Sequence, residues 1–315
     1  MKALITGIAG FAGSHLADNL LSNGYRVVGT CLRGESRRNI EHIKKRIVLE
    51  VAELSEGERI QKIIGRHKPQ VVFHLAAMAS VGQSFAMPTH TMEVNLLGTM
   101  QLYECLRGVK CIERVVFVSS ADIFGPLPPG KMPIKPDYPL QPISPYGASK
   151  AAADIVSYQY FRAYGLPIVR VRAFNHTGPR QGRGYVIPDF CSQISSIEKS
   201  NRKGVIRVGD LSARRDISDV RDIVNGYRLA AECGKIGEAY ILASGKANSI
   251  ESYLQMLIKH STADISIKVE KKLLRPVEVP LLVGSITKAK QELGYRPTFK
   301  LEQTLIDTLE YWRSN

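Results

Sequence analysis

The stretch TGIAGFAG, at residues 6–13, stands between the first apolar run of the chain and its first amphipathic segment. Its three glycines permit a tight turn, let the main chain approach a pyrophosphate and bring a helix close to a strand. The free amides and the dipole at the start of that helix also favour phosphate. Glycines by themselves also mark ordinary turns. Here the motif indicates a dinucleotide site because it directly follows the first predicted strand and opens the first predicted helix. The dinucleotide-binding residues predicted in this stretch are Gly7, Gly10, Phe11, Ala12 and Gly13.

Short β-branched runs alternate with longer amphipathic stretches over the first 175 residues. We predict strands at 3–6, 26–31, 46–51, 71–75, 114–119 and 168–173. Helices are predicted near 13–23, 56–66, 91–107 and 145–164. This βαβ alternation indicates an α/β protein with a Rossmann-type, doubly wound parallel sheet, whose ligands bind at the carboxyl ends of the strands.

The pattern loosens after Phe174, where loops with glycine and proline are followed by a basic stretch. The elements predicted beyond it are a strand and two helices, at 239–243, 250–259 and 301–312. We therefore predict a dinucleotide-binding domain over 1–174 and a smaller α/β substrate lobe over 175–315, with crossings of the chain between the two.

The composition is that of a globular protein, with 44% hydrophobic and 23% charged residues in a chain of 315. Lys and Arg number 43 against 29 Asp and Glu, and the formal net charge of +14 points to an anionic partner. A nucleic acid, a membrane surface and a phosphorylated small molecule all fit that charge. No basic stretch is interleaved with aromatic residues in the pattern of RNA-stacking motifs, so we predict a small-molecule partner and neither nucleic acid nor membrane.

The five cysteines are widely spaced and form no CxxC pair, so the sequence predicts neither a disulfide framework nor a metal site. No stretch approaches the roughly 18 apolar residues of a membrane-spanning helix. The first residues also lack the pattern of a secretory signal. We therefore expect a cytoplasmic protein.

The end of the second predicted strand decides which dinucleotide fits. Sites selective for NAD carry an acidic residue about 20 residues after the glycines, for the ribose 2′-hydroxyl, whereas an arginine there suits a 2′-phosphate. This strand reads VVGTCLR, so Arg33 occupies that place and Glu35 is the first carboxylate after it. The sequence therefore favours NADP(H), with NAD(H) as the alternative. Glu50, which ends the third strand, is the predicted neighbour of adenine.

Tyr146 and Lys150 are four residues apart and hence lie on one face of a predicted helix. Ser144 and Pro145 suit the cap and the first turn of that helix. A free tyrosine has a pKa of about 10, and a fixed cation beside it favours the phenolate and brings the pKa closer to neutrality. The spacing is common on helices by chance. Ser120, however, ends the preceding strand, where its hydroxyl is placed to bind a substrate oxygen.

Five motifs occur together in one order. They are TGxxGxxG at the first strand, HLAA at 74–77, NLLGT at 95–99, the serine pair that ends at Ser120, and YxxxK from Tyr146. In this combination the chain resembles the extended short-chain dehydrogenase/reductase family that acts on nucleotide sugars. The resemblance implies a catalytic triad of Ser120, Tyr146 and Lys150, with Lys150 also holding the nicotinamide ribose. It also implies a homodimer formed through two-helix packing. The further cofactor contacts expected beside Tyr146 and Lys150 are Leu75, Ala76, Ala77, Asn95 and Phe174.

Segments of the second lobe resemble those of family members that act on GDP-sugars. RAFNHTGPRQ at 172–181, VGDLSARRD at 208–216 and RPVEVP at 275–280 are similar to segments of GDP-4-keto-6-deoxy-D-mannose reductases and, less closely, of GDP-mannose 4,6-dehydratases. An arginine fork binds phosphate through two parallel hydrogen bonds, which suits such a site. The GDP-sugar contacts that this resemblance implies are Ser120, Asp122, Asn175, Val186, Arg215, Arg275 and Glu278.

Asp122, counted with the catalytic residues, distinguishes the candidate reactions. Dehydratases of this family use a Glu near this position to take a proton from C5, and Asp122 is one methylene shorter. Because a misplacement of about 1 Å costs up to a hundredfold in rate, we expect dehydration to be weak. We predict reduction of the C4 ketone of GDP-4-keto-6-deoxy-D-mannose to GDP-D-rhamnose with NAD(P)H. The first alternative is a GDP-mannose 4,6-dehydratase or another nucleotide-sugar epimerase or dehydratase. The second is a non-catalytic NADP- or RNA-binding member of the superfamily.

Overall fold

A computed structural model describes residues 1–200, 203–274 and 279–315. Its central feature is a sheet of seven strands in the order β11-β6-β5-β4-β1-β2-β3, and every neighbouring pair is parallel. The strands of this sheet are β1 Lys2–Thr6, β2 Arg26–Cys31, β3 Ile47–Val51, β4 Val71–His74, β5 Arg114–Ser120, β6 Ile168–Ala173 and β11 Ala239–Leu242. The order reverses between β1 and β4, which is where a doubly wound sheet opens its ligand crevice.

Helices cover both faces of this sheet, so its strands are buried on two sides and read as continuous apolar runs. All four residues of β4, VVFH, are buried. The helices that precede residue 165 are α1 Phe11–Ser22, α2 Gly57–His67, α3 Val81–Ala86, α4 Pro88–Met92, α5 Gly98–Leu106 and α6 Pro145–Tyr164. Those that follow are α7 Val186–Ser200, α8 Val220–Cys233, α9 Ile250–Lys259, α10 Thr287–Leu293 and α11 Leu301–Arg313. The arrangement confirms the predicted Rossmann-type α/β fold.

The two faces carry separate apolar cores. One core joins α1 and α8 to the sheet, with Leu16, Val171 and Tyr227 among its buried members. The other joins α2, α5 and α6 to the opposite face and includes Ile63 and Tyr103. Helices α6 and α8 therefore approach the sheet from opposite sides.

A smaller assembly follows the first six strands. Its short strands are β7 Asn175–Thr177, β8 Lys203–Val208, β9 Arg214–Arg215, β10 Ile217–Asp219, β12 Asn248–Ser249, β13 Asp264–Val269 and β14 Leu281–Leu282. Helices α7, α9 and α11 share a third core that includes Phe190, Leu254 and Leu309. Between these elements the chain returns to the large sheet, because β11 pairs with β6. The division at residue 174 stays a prediction, and helices α7 and α8 were not predicted.

The segment predicted as one helix over 91–107 is interrupted. It consists of α4, a π-helical turn at Glu93–Leu97 and α5. Such turns often occur at functional sites. This one contains Asn95, whose side chain is buried and bound to other parts of the chain. Within the described part of the chain, no helix is long and apolar enough to cross a membrane.

Candidate active site

A large cavity of about 1520 Å³ runs along the carboxyl ends of the central strands. One end lies at the glycine-rich loop of residues 6–13, and the other lies between α6 and the smaller assembly. Of the predicted site residues, those that line it are Gly7, Gly10, Phe11, Ala12, Gly13, Leu75, Ala76, Ala77, Ser120, Asp122, Tyr146, Lys150, Phe174, Asn175 and Arg215. The fold therefore brings most of the predicted residues into one space.

The glycine-rich loop is shaped by close contacts that exclude side chains. Gly7 has a φ of +75°, and a Cβ there would lie 3.0 Å from the nitrogen and the Cα of Ala76. A Cβ on Gly13 would overlap the carbonyl oxygen of Gly7. Gly10 caps α1 with its main chain, so the amides of the first helical turn face the cavity edge. This cradle fits the pyrophosphate of a dinucleotide.

The adenosine end differs from the prediction at two residues. Arg33 is exposed and is not among the residues that line the cavity. Glu50 is also absent from the lining, because its carboxylate binds His67 Nε2 at 2.8 Å and Arg66 at 3.0 Å. The residues that line this end instead are Leu32, Glu35, Ser36, Arg38, Asn39 and the run Ala52–Glu53–Leu54–Ser55.

The predicted cofactor residue Asn95 acts through the main chain. Its Oδ1 accepts from the Met78 amide at 2.8 Å, and its Nδ2 donates to the Met78 carbonyl and to Ser149 Oγ. Asn95 does not line the cavity. It instead ties the loop after β4, which does line it, to the helix that carries Lys150.

His74 fixes the same loop from beneath. Its Nδ1 lies 2.8 Å from Thr6 Oγ1, and its Nε2 lies 2.9 Å from Thr99 Oγ1. Thr6 Oγ1 also accepts a hydrogen bond from the Ala76 amide. Burial, assisted by the charge of Lys150, lowers the pKa of His74 to about 3. The ring is therefore neutral and serves as a hydrogen-bonding strut.

Ser120 and Asp122 form a closed pair at the end of β5. The Ser120 hydroxyl donates to Asp122 Oδ2 at 3.0 Å, and the Asp122 amide donates back to Ser120 Oγ at 3.2 Å. The short 3-10 turn Ala121–Ile123 begins there, with Ser120 as its cap. This turn holds the carboxylate beside the hydroxyl predicted to face substrate.

Tyr146 stands at the start of α6, which Ser144 caps through the Gly147 amide. Burial raises the pKa of Tyr146 above its usual value, the charge of Asp122 raises it further, and a hydrogen bond with Ser120 partly offsets the two. The expectation that a neighbouring cation lowers this pKa was therefore wrong. The phenol is therefore protonated near neutral pH.

Lys150 is held one turn further along α6. Its ammonium donates to the carbonyl oxygen of Val118 and lies 4.6 Å from the centre of the Phe117 ring. Burial lowers the pKa of Lys150 to about 8, against the opposing effect of Asp154. In this position the ammonium binds the sheet and not the phenol.

Asp154 anchors the catalytic helix on β6. The carboxylate is fully buried and accepts from Arg170 at 2.9 Å and from Arg172 at 2.8 and 3.0 Å. Hydrogen bonds and charge from Arg172 hold the pKa of Asp154 below its usual value despite burial. Asp154 lies one helical turn beyond Lys150. The salt bridges from Asp154 to Arg170 and Arg172 therefore help to fix the position of the lysine.

The substrate side of the cavity contains Asn175 and Arg215 but not every residue predicted there. Asn175 is exposed in the cavity, and the buried Arg215 donates to the carbonyl oxygen of Arg214 at 3.0 Å. Val186, at the start of α7, does not line the cavity. Arg275 and Glu278 lie outside the described residues.

Among the cavity residues that sequence reasoning missed are Arg180, Tyr185 and Tyr227. Arg180, at a φ of +73°, donates to Asp18 and to the carbonyl oxygen of Asn39, and so ties the loop after β7 to the adenosine end. Tyr185 and Tyr227 line the reaction centre. The glycines around 178–184 were the sequence signal for the loop that contains Arg180. Tyr227, a single tyrosine inside helix α8, gives no such signal.

The whole chain is similar to enzymes that act on GDP-sugars. The family profile of GDP-mannose 4,6 dehydratase matches residues 4–308. The GDP-mannose 4,6-dehydratase sdnI of Sordaria araneosa is 30% identical over 96% of this chain, which spans 59% of that protein's length. A GDP-6-deoxy-D-mannose reductase of Pseudomonas aeruginosa is 28% identical, with 78% of this chain and 81% of that protein covered.

Solved structures agree with the fold over nearly the full length. The structure of UDP-glucose 4-epimerase of Thermotoga maritima with UDP-glucose is 29% identical, with a TM-score of 0.89. The alignment covers 100% of this chain and 99% of the epimerase chain. RMD of Pseudomonas aeruginosa complexed with NADPH is 26% identical, with a TM-score of 0.84 and 99% of both chains covered. UDP-glucose 4-epimerase of Thermus thermophilus in complex with NAD is 28% identical, with a TM-score of 0.86 and 99% of both chains covered.

Proposed function

Because the chain belongs to the GDP-mannose 4,6-dehydratase family, within the extended short-chain dehydrogenase/reductases, we propose that it reduces the C4 ketone of GDP-4-keto-6-deoxy-D-mannose to GDP-D-rhamnose. The observation that carries this proposal is the placement of Asp122, whose carboxylate accepts a hydrogen bond from the Ser120 hydroxyl at 3.0 Å. Dehydratases of this family use a longer Glu near this position to take a proton from C5, whereas a reductase needs only a hydroxyl acid at the carbonyl oxygen. We assign that acid to Tyr146, which lines the same cavity.

We assign NADP(H) as the preferred cofactor, with NAD(H) as the alternative. The glycine cradle fits the pyrophosphate, and Lys150 is within the cavity to hold the nicotinamide ribose. Arg38, which lines the adenosine end, replaces Arg33 as the arginine for a 2′-phosphate. When bound, the cofactor supplies a hydride to C4 of the ketone.

The residues of the chain then perform the proton chemistry. Tyr146 donates its phenolic proton to the oxygen that becomes the C4 hydroxyl, and Ser120 orients that oxygen. Asp122 orients the Ser120 hydroxyl, to which it is bound at 3.0 Å. Lys150, with its pKa near 8, carries a positive charge over most of the neutral range, and we assign this ammonium to the nicotinamide ribose.

The substrate lobe is assigned to the GDP-sugar. Asn175 and Arg215 face the cavity opposite the glycine-rich loop, and an arginine binds a diphosphate through its fork of donors. Val279 and Leu282 add apolar surface on the same side. Arg275 and Glu278 remain assigned to this site from the sequence alone.

The second candidate is GDP-mannose 4,6-dehydration, favoured by the family profile itself. In that reaction Asp122 would have to take the C5 proton. The Asp122 carboxylate already accepts a hydrogen bond from the Ser120 hydroxyl. The Asp122 side chain is also shorter than the Glu that this role usually requires. A non-catalytic or RNA-binding role fits less well, because the Tyr146–Lys150 pair is intact and lies in the cavity.

Two incubations test the proposed reaction. One contains the protein and GDP-mannose alone, and the other contains GDP-4-keto-6-deoxy-D-mannose with NADPH. We expect nicotinamide oxidation and GDP-D-rhamnose in the second and no product in the first. A 4-keto sugar in the first incubation would establish the dehydratase instead, and mass spectrometry with NMR of the sugar identifies both products.

A homodimer is proposed to form through α5 and α6. Exposed apolar side chains lie on this part of the surface, including Leu97 at 55% and Ile155 at 59% relative exposure. Ile155→Glu should convert the dimer to a monomer in sedimentation analysis, whereas Ile236→Glu, at an exposed apolar site elsewhere, should not.

We assign the protein to the cytoplasm, since all five of its cysteines are free thiols.

A further inference from the structure

Tyr227 carries a hydroxyl group that no part of the described chain satisfies. Its side chain has a relative exposure of 0%, and its Oη has no hydrogen-bond partner among the described residues. The nearby Tyr295, buried in the same core, differs, because its hydroxyl donates to the carbonyl oxygen of Ala243 at 3.2 Å. A buried hydroxyl without a partner loses its hydrogen bonds to water and gains nothing in return. Its presence in a core requires a reason.

The position of Tyr227 supplies that reason. Tyr227 lies on α8, which packs against the strands that end in Ser120 and Ala173, and it lines the large cavity. Burial raises the pKa of its phenol, and the phenol of Tyr146 raises it further. Tyr146 and Tyr227 both line the large cavity.

The packing of α8 favours the cofactor over the sugar as the partner of Tyr227. Helix α8 packs mainly against α1, the helix that begins at the glycine-rich loop, and to a smaller extent against β7 and β10 of the smaller assembly. Asn175 and Arg215, the residues assigned to the GDP-sugar, belong to the smaller assembly. A partner for Tyr227 is therefore expected on the dinucleotide. At its nicotinamide end, the polar group that lies on the ring is the carboxamide.

We infer that Tyr227 binds the nicotinamide ring, with its hydroxyl donating a hydrogen bond to the carboxamide oxygen. This inference rests on the proposed use of NADP(H). The hydroxyl is unpaired before binding and paired after it, so its energetic benefit is realised only in the complex. Tyr227 is thus a cofactor-binding residue that contributes to affinity and not to the stability of the free protein.

Titration of wild-type protein and Tyr227→Phe with two nucleotides tests the inference. NADPH carries the carboxamide, and 2′-phospho-ADP-ribose lacks the nicotinamide ring. We expect Tyr227→Phe to weaken NADPH binding about 2- to 13-fold, the usual range for one hydrogen bond. Binding of 2′-phospho-ADP-ribose should be unchanged. Without nucleotide, the variant should unfold at the same temperature as wild type or higher.

Tyr295→Phe is the matched control. It removes a hydroxyl from the same core, but one that has a protein partner, so we expect unchanged NADPH affinity and a lower unfolding temperature. Equal NADPH affinity in wild type and Tyr227→Phe would overturn the inference. So would equal weakening of both nucleotides, weakened binding of GDP alone, or a lower unfolding temperature of the free variant. Failure of wild type to bind either nucleotide would overturn the proposed cofactor use as well.

Discussion

The two ends of the cavity are built from different parts of the polypeptide. At the pyrophosphate end the main chain forms the site, since Gly7, Gly10 and Gly13 leave room for phosphate and offer amides. At the reaction centre side chains form it, from helices on opposite faces of the sheet. Tyr146 lies on α6 and Tyr227 on α8. The first end depends on local conformation, and the second on how distant elements pack.

This difference determines how each end tolerates change. A main-chain site has few functional atoms to delete, so substitutions harm it by filling space. A side-chain site loses function when one hydroxyl is removed, while the fold survives. The variants below separate these two kinds of damage.

The largest effect is expected for Tyr146→Phe. The change removes the proton donor without altering the volume of the core, so turnover of the ketone should fall about 10²- to 10⁴-fold. The NADPH dissociation constant should stay within about twofold of wild type, because the phenol does not form the phosphate cradle. Single-turnover kinetics with nucleotide titration measures both.

Tyr158→Phe on the same helix provides the comparison for that variant. Its hydroxyl lies at the surface, within 3.4 Å of Arg162, and should be dispensable. Turnover near the wild-type rate in Tyr146→Phe would remove Tyr146 from the mechanism.

Gly13→Ala should produce the next largest effect, and of the opposite kind. Alanine is normally favoured inside helices by about 1 kcal/mol, but here its Cβ would overlap the Gly7 carbonyl oxygen. We expect a loss of about 1–3 kcal/mol of unfolding free energy and NADPH binding weakened more than tenfold. Denaturant unfolding and nucleotide titration measure the two losses.

Gly65→Ala is the control for that substitution. Gly65 lies inside α2 with open space where its Cβ would be, so the change should leave binding unaltered and stability unchanged or raised. Tight NADPH binding by Gly13→Ala would show that the loop adapts and that the cradle is not needed.

The same difference explains what the sequence could predict. The glycine-rich loop was recognisable because only glycine permits its contacts, and helix α6 was predicted from Pro145 to Tyr164 as observed. The positions of the strands up to β6 followed from short β-branched runs between amphipathic stretches. These features all depend on local patterns.

Where the structure departs from the sequence prediction, the causes are tertiary. The assignment of Glu50 to adenine stays a prediction, but Glu50 does not line the cavity and its carboxylate binds His67 on the neighbouring helix. The Tyr146 pKa was expected to fall because Lys150 is one turn away, but burial and Asp122 outweigh that spacing. Tyr227 lies in an amphipathic helix that was not predicted. None of these contacts is encoded in neighbouring residues.

Asp122→Asn tests whether the charge of Asp122 raises the pKa of Tyr146, and it should lower turnover moderately. The amide retains an acceptor for the Ser120 hydroxyl but removes the charge that raises the Tyr146 pKa. Reduction requires the protonated phenol, so the alkaline limb of the kcat profile should move to lower pH. Near neutral pH, turnover should fall less than tenfold. Because the pKa of Tyr146 lies above its usual value of about 10, rates are measured from pH 8 to pH 12. A limb displaced to higher pH in the variant would contradict the assigned charge effect.

The smallest effect is expected for Glu50→Gln, which tests whether the adenosine end extends to this strand. Since Glu50 does not line the cavity, NADPH affinity should change less than twofold. A hydrogen bond from His67 and the charge of Arg66 hold the pKa of Glu50 below its usual value, so the carboxylate contributes stability above the unfolded pKa of about 4.3. Because the pair is partly solvent-screened, that contribution is at most about 1 kcal/mol. The variant should therefore be slightly less stable than wild type at pH 7, and the two should converge as pH falls below 4. Weakened NADPH binding in Glu50→Gln, with stability unchanged, would instead place adenine against the third strand, as the sequence alone predicts.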